Sequence, residues 1–254
     1  MNRVLLALAS SLIIAFGTRA QTTGGLSKPE IQGRQLAQEI LQERPATNFT
    51  QTGVVTVRNP GGTTNFPVSL QTVVEGGDWK VEYFANMTPA NQGPFVNLRI
   101  VHTEGQPNQY FIYQGNGNRD SFRTIPMTDL SQAEIWAPFA NSDFWIADLG
   151  LEFFHWPNQK ILRHEDKRTR ACAVLESTNP NPIPGAYSRV MSWIDNETLG
   201  IVHAEAYDNG GKLLKVFDPK SFKKVNGQWE LQDMEIRNVQ TKSRSSIKFD
   251  LSTK

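Results

Sequence analysis

From Phe49 onward the chain falls into runs in which apolar and polar positions alternate, separated by short clusters of Gly, Asn, Asp and Pro. This pattern constrains the fold more than any other feature, because period-two alternation sends one set of side chains to each face of a strand. TGVVTVRN, TNFPVSLQTVVE, DWKVEYFAN, FVNLRIVHTE and NQYFIYQ read as successive strands, with NPGG (59–62), EGGD (75–78) and EGQPN (104–108) as their turns. Trp79, Val81 and Tyr83, then Val96, Leu98 and Ile100, place a buried set on one face. A second series comprises KILRHEDKRT, RACAVLES, YSRVMSWID, GIVHAEAYD, LLKVFDPKSFKKV, QWELQDMEIRN and TKSRSSIKFDL. Its turns are NPNPIPG (179–185), DNETLG (195–200), DNGGK (208–212) and VNGQ (225–228). About eleven or twelve strands joined by hairpins predict a mainly β fold, a single large antiparallel sheet or open barrel.

Two segments depart from the alternation. PEIQGRQLAQEILQERP carries Ile31, Leu36, Ile40 and Leu41 at helical spacing between Pro29 and Pro45, which predicts an amphipathic helix over 29–43. Residues 125–157, IPMTDLSQAEIWAPFANSDFWIADLGLEFFHWP, break the strands in the middle. Thr128 or Asp129 is expected to cap a short helix ending near Ala137. Ser142 or Asp143 is expected to cap a second, with Asp148 and Glu152 on its polar side. Ahead of all this, MNRVLLALASSLIIAFGTRAQ has a basic start, a short apolar run and small residues before Gln21, so residues 1–20 read as a cleaved signal peptide. Residues 21–28 read as a flexible start and 29–254 as one domain. No cysteine follows the apolar run, so the exported protein is not expected to carry a lipid of its own.

The chemistry-bearing residues are sparse. Net charge is +1, which offers no electrostatic footprint for nucleic acid. Cys172 stands alone within a strand, so neither a disulfide nor a cysteine metal site is expected, and a buried small side chain is its natural role. His102, His155, His164 and His203 lie on separate elements without metal-ligand spacing. His155 with Asp148 or Glu152 could form an acid–base pair, but an imidazole at a helix end is the simpler reading. GNGN (115–118) lacks the spacing and Lys of a phosphate loop and reads as a hairpin turn. Ser142, Ser188 and Ser192 lack a nucleophile-elbow context. In the charged run 160–170, Glu165 and Asp166 interrupt the bases where a turn is expected, which reads as a solvated hairpin. No catalytic residue, metal or cofactor is expected.

One ordered set of motifs is more specific. SDF…DL (142–149) is followed by a strand ending in VLES and a proline-rich turn. YSRVMSWIDNETLGIVHAEAYDNGGKLLKVFDPKSFKKVNGQWELQDMEIRN (187–238) then runs as tyrosine strand, W-I-D turn, strand, Y-D-x-x-G-K hairpin and V-x-G-x-W strand. Over residues 95–251, and most specifically from Tyr187 to Asn238, the chain resembles the outer membrane lipoprotein-sorting protein family, relatives of the LolA and LolB carriers. It departs at Ala140-Asn141, where the family places a Met-Gly pair, and in the more apolar DLGLEFFHWPNQ. The resemblance implies an open half-barrel whose apolar concave face is covered by the N-terminal helix and short helices. It also implies a monomeric, non-enzymatic periplasmic protein binding lipoprotein or lipid acyl chains, with envelope membrane proteins as further partners. The cavity candidates from the break are Phe139, Phe144, Trp145, Leu149, Leu151, Phe153, Phe154 and Trp156. Those from the strands are Trp79, Tyr83, Phe111, Tyr113, Trp193 and Trp229, each of which could equally be core. A sensor or scaffold of the same fold, binding lipoprotein without moving it, is the alternative. A lipid-acting enzyme would need a nucleophile or metal set that the sequence does not display.

Overall fold

The computed structural model describes residues 25–88, 93–117, 126–225 and 228–251; the signal segment and the side chain of Trp229 lie outside them. Among the described residues thirteen strands form one antiparallel sheet with two free edges, so the barrel is open. The first six are β1 (Phe49–Asn59), β2 (Gly62–Glu75), β3 (Asp78–Asn86), β4 (Gly93–Thr103), β5 (Gln109–Gly117) and the two-residue β6 (Thr128–Asp129). The others are β7 (Asn158–Lys167), β8 (Arg170–Thr178), β9 (Arg189–Asp195), β10 (Ile201–Tyr207), β11 (Leu213–Val225), β12 (Gln228–Asn238) and β13 (Ser243–Phe249).

The strand order is β6-β5-β4-β3-β2-β1-β13-β12-β11-β10-β9-β8-β7. The chain therefore meanders outward from the centre to one edge, crosses to the far edge, and meanders back until β13 closes on β1. Flat, twelve strand spacings would part the two edges by roughly 60 Å. Sheets this wide curl under their accumulated twist, and the segment joining β6 to β7 lies across the inner face. That face buries Val55, Phe66, Val68, Tyr83, Leu98 and Ile100 in one half and Ala173, Leu175, Val190 and Ile194 in the other.

Helix α1 (Lys28–Gln42) starts where Ser27 donates its amide and hydroxyl to the Glu30 carboxylate, at 2.7 and 2.6 Å. It buries Leu36, Ala37 and Ile40 in the same cluster as Leu175 and Ile194, whereas Ile31, assigned inward from its spacing, is 45 % exposed. The helix lies on edge strand β7 so closely that a Cβ on Gly33 would come within 2.5 Å of the Lys160 amide nitrogen. It thereby shields one of the sheet's two edges.

Three local expectations are corrected. Thr128 and Asp129 join the sheet as β6, so the helix expected to follow them shrinks to one 3-10 turn, Glu134–Trp136, held by Ser131 on the Glu134 carboxylate. The second helix is only α2 (Ile146–Leu149), preceded by Trp145 rather than by Ser142 or Asp143, and a separate 3-10 turn covers Glu152–His155. Gly115 and Gly117 sit inside β5 opposite β4, not in a turn, because the bare Cα of Gly115 makes room for the Phe95 ring; Asn118 lies outside the described residues.

Alanine is ordinarily favoured over glycine inside a helix by about 1 kcal/mol. Gly33→Ala is nevertheless expected to destabilise the protein by about 1–3 kcal/mol, because the new methyl would drive α1 off β7. Urea unfolding would measure this, and a stabilised variant would contradict the packing described.

Candidate functional site

Residues 130–157 form an insert against the inner face. Its first half is a small hairpin in which the Phe139 amide donates to the Phe144 carbonyl at 2.7 Å and the Ile146 amide to the Ala137 carbonyl at 3.1 Å. Ala140 and Asn141 turn its tip in the left-handed region, with φ of 50° and 55°. Ser142 Oγ steadies this turn by donating to the Phe139 carbonyl at 2.6 Å and accepting from the Phe144 amide at 3.2 Å. The hairpin drops Phe139 and Phe144 into the sheet core, where Phe139 meets Tyr83 edge-on at 5.9 Å.

Asp143, between them, ties the insert to the middle of the sheet. Its carboxylate accepts from the hydroxyls of Ser243 and Ser245 on β13, and its amide donates to Ser245 Oγ at 2.8 Å. On β11 the Lys215 side chain is 1 % exposed, and its ammonium donates to the Asp143 carbonyl at 2.7 Å and lies 3.4 Å from Asp148 Oδ2. The same ammonium stands 3.4 Å from the centre of the Trp145 ring and 5.3 Å from that of Tyr187. Asp148 also accepts from the Tyr187 hydroxyl and from the Trp145 amide, both at 2.8 Å. Burial pulls the Lys215 ammonium down to about 8 against the opposing pull of Asp148 and Asp143. It also pushes the Tyr187 hydroxyl well above its ordinary range, reinforced by Asp148.

A second anchor lies nearer β5. The Tyr110 hydroxyl donates to Glu152 Oε2 at 2.8 Å, and Asn108 Nδ2 donates to the Gly150 carbonyl at 2.7 Å. Gly150 is required there, since a Cβ would meet the Tyr110 hydroxyl at 2.2 Å. Glu152 was expected on a polar helix face; it is instead 4 % exposed, and burial pushes its carboxyl up to about 7 despite the hydrogen bonds from Tyr110 and Gln132.

The cavity candidates divide by face. Phe139, Phe144 and Tyr83 share one core cluster with Trp79 and Leu149 packed against it, and Phe153, Phe154 and Trp156 share another with Trp145 and Leu151 against it. Phe139, Phe144, Phe153 and Phe154 are almost inaccessible, so in this state these rings fill the inner face as core. Phe111 and Tyr113 alternate with the inward Tyr110 and Ile112 and lie on the outer face. Trp193 is also on the outer face, with Cys172 and Val174, its indole donating to Glu165. Beside the hairpin tip, an open cleft of about 400 Å³ lies between Met87, Phe95, Val96, Pro138, Ala140 and Asn141, with Gln114 and Asn116 on its polar side.

Trp136 and Lys215 were not singled out from the sequence, and Tyr187 was read there only as the start of the family motifs. Trp136 packs against Trp145, Trp156 and Tyr187 with ring centres 6.0, 6.0 and 5.3 Å away, and Trp145 stacks on Tyr187 at 4.6 Å. The signal for Lys215 lay in its phase: it stands two positions before Phe217 on β11 and opposite the buried Ala206 of β10, an inward position for which a charge needs a buried partner.

The four histidines are engaged separately, except that His102 lies near enough to His155 for the two to oppose each other's charge. His102 stacks on Trp79 at 3.7 Å, His164 is exposed, and His203 pairs with Asp218 at 2.7 Å. His155 Nε2 is buried without a hydrogen-bond partner, while Asp148 and Glu152 are engaged by Tyr187 and Tyr110. No group of His, Cys, Asp or Glu among the described residues is arranged to hold a metal ion.

Lys215→Met should cost about 3–5 kcal/mol, because it strands the Asp148 carboxylate in the interior. Adding Asp148→Asn should restore part of the loss, and a double variant no more stable than the single would contradict the pairing. Glu152 provides a pH test. Its folded carboxyl holds a proton to about 7, while the unfolded chain releases it near 4.5, so its contribution to stability falls as pH rises from about 4.5 to 7. Glu152→Gln should therefore stabilise by about 2–3 kcal/mol at pH 8 and leave stability at pH 4 unchanged, as denaturant titrations at the two pH values would show.

Solved structures share this architecture. A DUF1329 family protein from Desulfovibrio piger superposes with a TM-score of 0.70 at 19% identity, over 88% of this chain and 92% of that one. A domain described as an outer membrane lipoprotein-sorting protein, from Vibrio parahaemolyticus, gives 0.69 at 19% identity, over 87% and 92%. A LolA superfamily protein from Nitrosomonas europaea gives 0.57 at 15% identity, over 89% and 93%. No curated protein matches the chain in sequence. The resemblance read between Tyr187 and Asn238 thus holds in the fold. A family model described as "-like: Uncharacterized protein" matches residues 89–252, well over half of the chain, and the protein belongs to that family, built on a LolA-like fold.

Proposed function

We propose that the protein is a periplasmic, non-enzymatic carrier for acyl chains, those of a lipoprotein or a free lipid, and that the aromatic insert occupies their place until cargo arrives. The observation that carries this reading is the way the insert is held. Its rings fill the apolar inner face, while a few polar contacts from Asp143, Asp148 and Glu152 fix its position. Exchanging aromatic rings for methylenes trades one apolar surface for another, so most of the resistance to exchange comes from those polar contacts. Each is worth about 1 kcal/mol net, so the resistance is a few kcal/mol, and an acyl chain of about a dozen methylenes, worth about 10 kcal/mol on burial, can replace the burial that the displaced rings lose. The cleft beside Ala140 and Asn141 leaves the turn of the hairpin open to solvent, where displacement can begin. The likeness in fold to a lipoprotein-sorting domain and a LolA superfamily protein supports the same reading.

Native mass spectrometry after gentle purification should detect a bound lipid, and a fluorescent fatty acid should bind the lipid-free protein. Asp143→Ala, which removes both carboxylate contacts to β13 and keeps the amide contact to Ser245, should bind that probe roughly thirty-fold more tightly, about 2 kcal/mol of resistance having been removed. Failure of both lipid detection and probe binding would reject the proposal. Binding without transfer of labelled lipoprotein to acceptor membranes would instead mark a sensor of the same fold.

A further inference from the structure

The outer face of the sheet carries an arrangement that the carrier reading does not use. Arg58 on β1 lies opposite Arg244 on β13, which lies opposite Arg237 on β12, so three guanidinium side chains stand abreast on one face. Directly opposed positions bring Cβ atoms to about 5 Å, and like charges so placed repel. Lys242 joins them around an open pocket of about 560 Å³ that is also lined by Asn59, Pro60, Asn238, Val239 and Ser243.

Other strand arginines are arranged differently. Arg99 is matched to Glu82, Arg163 to Glu165, Arg170 to Asp195, and Arg189 to Glu176. Among the described residues Arg58, Arg237 and Arg244 have no carboxylate partner, and Glu235, two positions from Arg237 on the same strand face, is taken by Lys220 at 3.0 Å. Protection against strand addition does not explain the row either, since basic residues serve that purpose at sheet edges. β1, β13 and β12 are the central strands of the sheet. The chain as a whole is nearly neutral, at +1, so this is a local concentration of charge.

We propose that Arg58, Arg244, Arg237 and Lys242 form a binding site for a phosphate-bearing ligand. A phosphate group presents several oxygens to the paired N–H donors of guanidinium groups and relieves their mutual repulsion, which a monovalent halide does less well. Arg244 lies between Ser243 and Ser245, the two residues that hold Asp143 on the inner face, so the site stands directly behind the anchor of the insert. The phosphate could belong to a lipid headgroup at a membrane surface or to a soluble compound. The proposal stands independently of acyl-chain binding.

The test compares wild type with the Arg58→Gln/Arg237→Gln/Arg244→Gln variant. Two readouts serve: co-sedimentation with phosphatidylcholine vesicles, with and without phosphatidylglycerol, and thermal unfolding in chloride against inorganic phosphate at equal ionic strength. Wild type is expected to bind the phosphatidylglycerol vesicles and not phosphatidylcholine alone, with affinity falling about ten-fold or more in the triple variant. In chloride the triple variant should melt at or above the wild-type temperature, because a repulsive row has been removed. Inorganic phosphate should raise the melting temperature of wild type more than that of the variant. Vesicle binding assigns the site to a headgroup, and a phosphate-specific shift without vesicle binding assigns it to a soluble phosphate compound. Arg237→Gln alone should show a smaller loss of the same kind if the triple variant fails to fold. Equal behaviour of wild type and variants in both assays would overturn the proposal.

Discussion

Lys215 holds its charge in the interior only because four groups from two other parts of the chain converge on it. The Asp143 carbonyl and the Asp148 carboxylate come from the insert together with the Trp145 ring, and the Tyr187 ring comes from just ahead of β9. An ammonium stripped of water without such partners would cost several kcal/mol, so the insert can take this position only with all of them in place. The consequence reaches beyond the lysine. By fixing Asp143 and Asp148, the ammonium determines where the hairpin sits, and hence how deeply Phe139 and Phe144 enter the sheet core. Polar contacts set the position and apolar contacts supply most of the burial, so the insert is held in one place without being inseparable from it.

The topology explains why an insert crosses that face at all. Two antiparallel meanders meet at β1 and β13, so the connection between them must run from one outer edge of the sheet to the other. Passing it over the inner face buries the apolar side chains that the curled sheet would otherwise expose. The two faces then serve different ends along a single strand: Ser243 and Ser245 point to the insert, and Arg244 between them points to the arginine row. β-Alternation supplies this separation without further cost.

The strands could be read because their signal is local. Alternation and turn residues suffice to place β1 to β5 and β7 to β13, but the turn of the charged hairpin, expected at Glu165 and Asp166, falls at Arg168 and Thr169 with positive φ, while Glu165 and Asp166 pair with Cys172 and Ala171 inside the ladder. The break at 125–157 was also visible, but not its internal form. Thr128 and Asp129 carry capping chemistry, yet a free edge of β5 was available and the backbone hydrogen bonds went there. Asp143 has the chemistry of a helix cap, yet two hydroxyls a hundred residues away in sequence claimed its carboxylate. Glu152 looked like a surface residue until Tyr110 appeared opposite it. In each case the deciding partner lies on a different element, and no local pattern encodes it.

The sequence by itself determined a curled antiparallel sheet with one apolar face, an N-terminal helix and an aromatic break between two runs of strands, since each follows from periodicity and turn chemistry within a few residues. It also contained the ordered motifs from Tyr187 to Asn238 that point to the LolA-like fold. Only the tertiary structure decided which aromatics face inward together and which, such as Trp193, lie on the other side. Only there do Lys215, Asp148 and Tyr187 meet, and only strand register sets Arg58, Arg244 and Arg237 abreast. The physical reason is the same throughout: a buried charge or a row of like charges is defined by groups far apart in sequence, and pairing across the sheet is what brings them within reach.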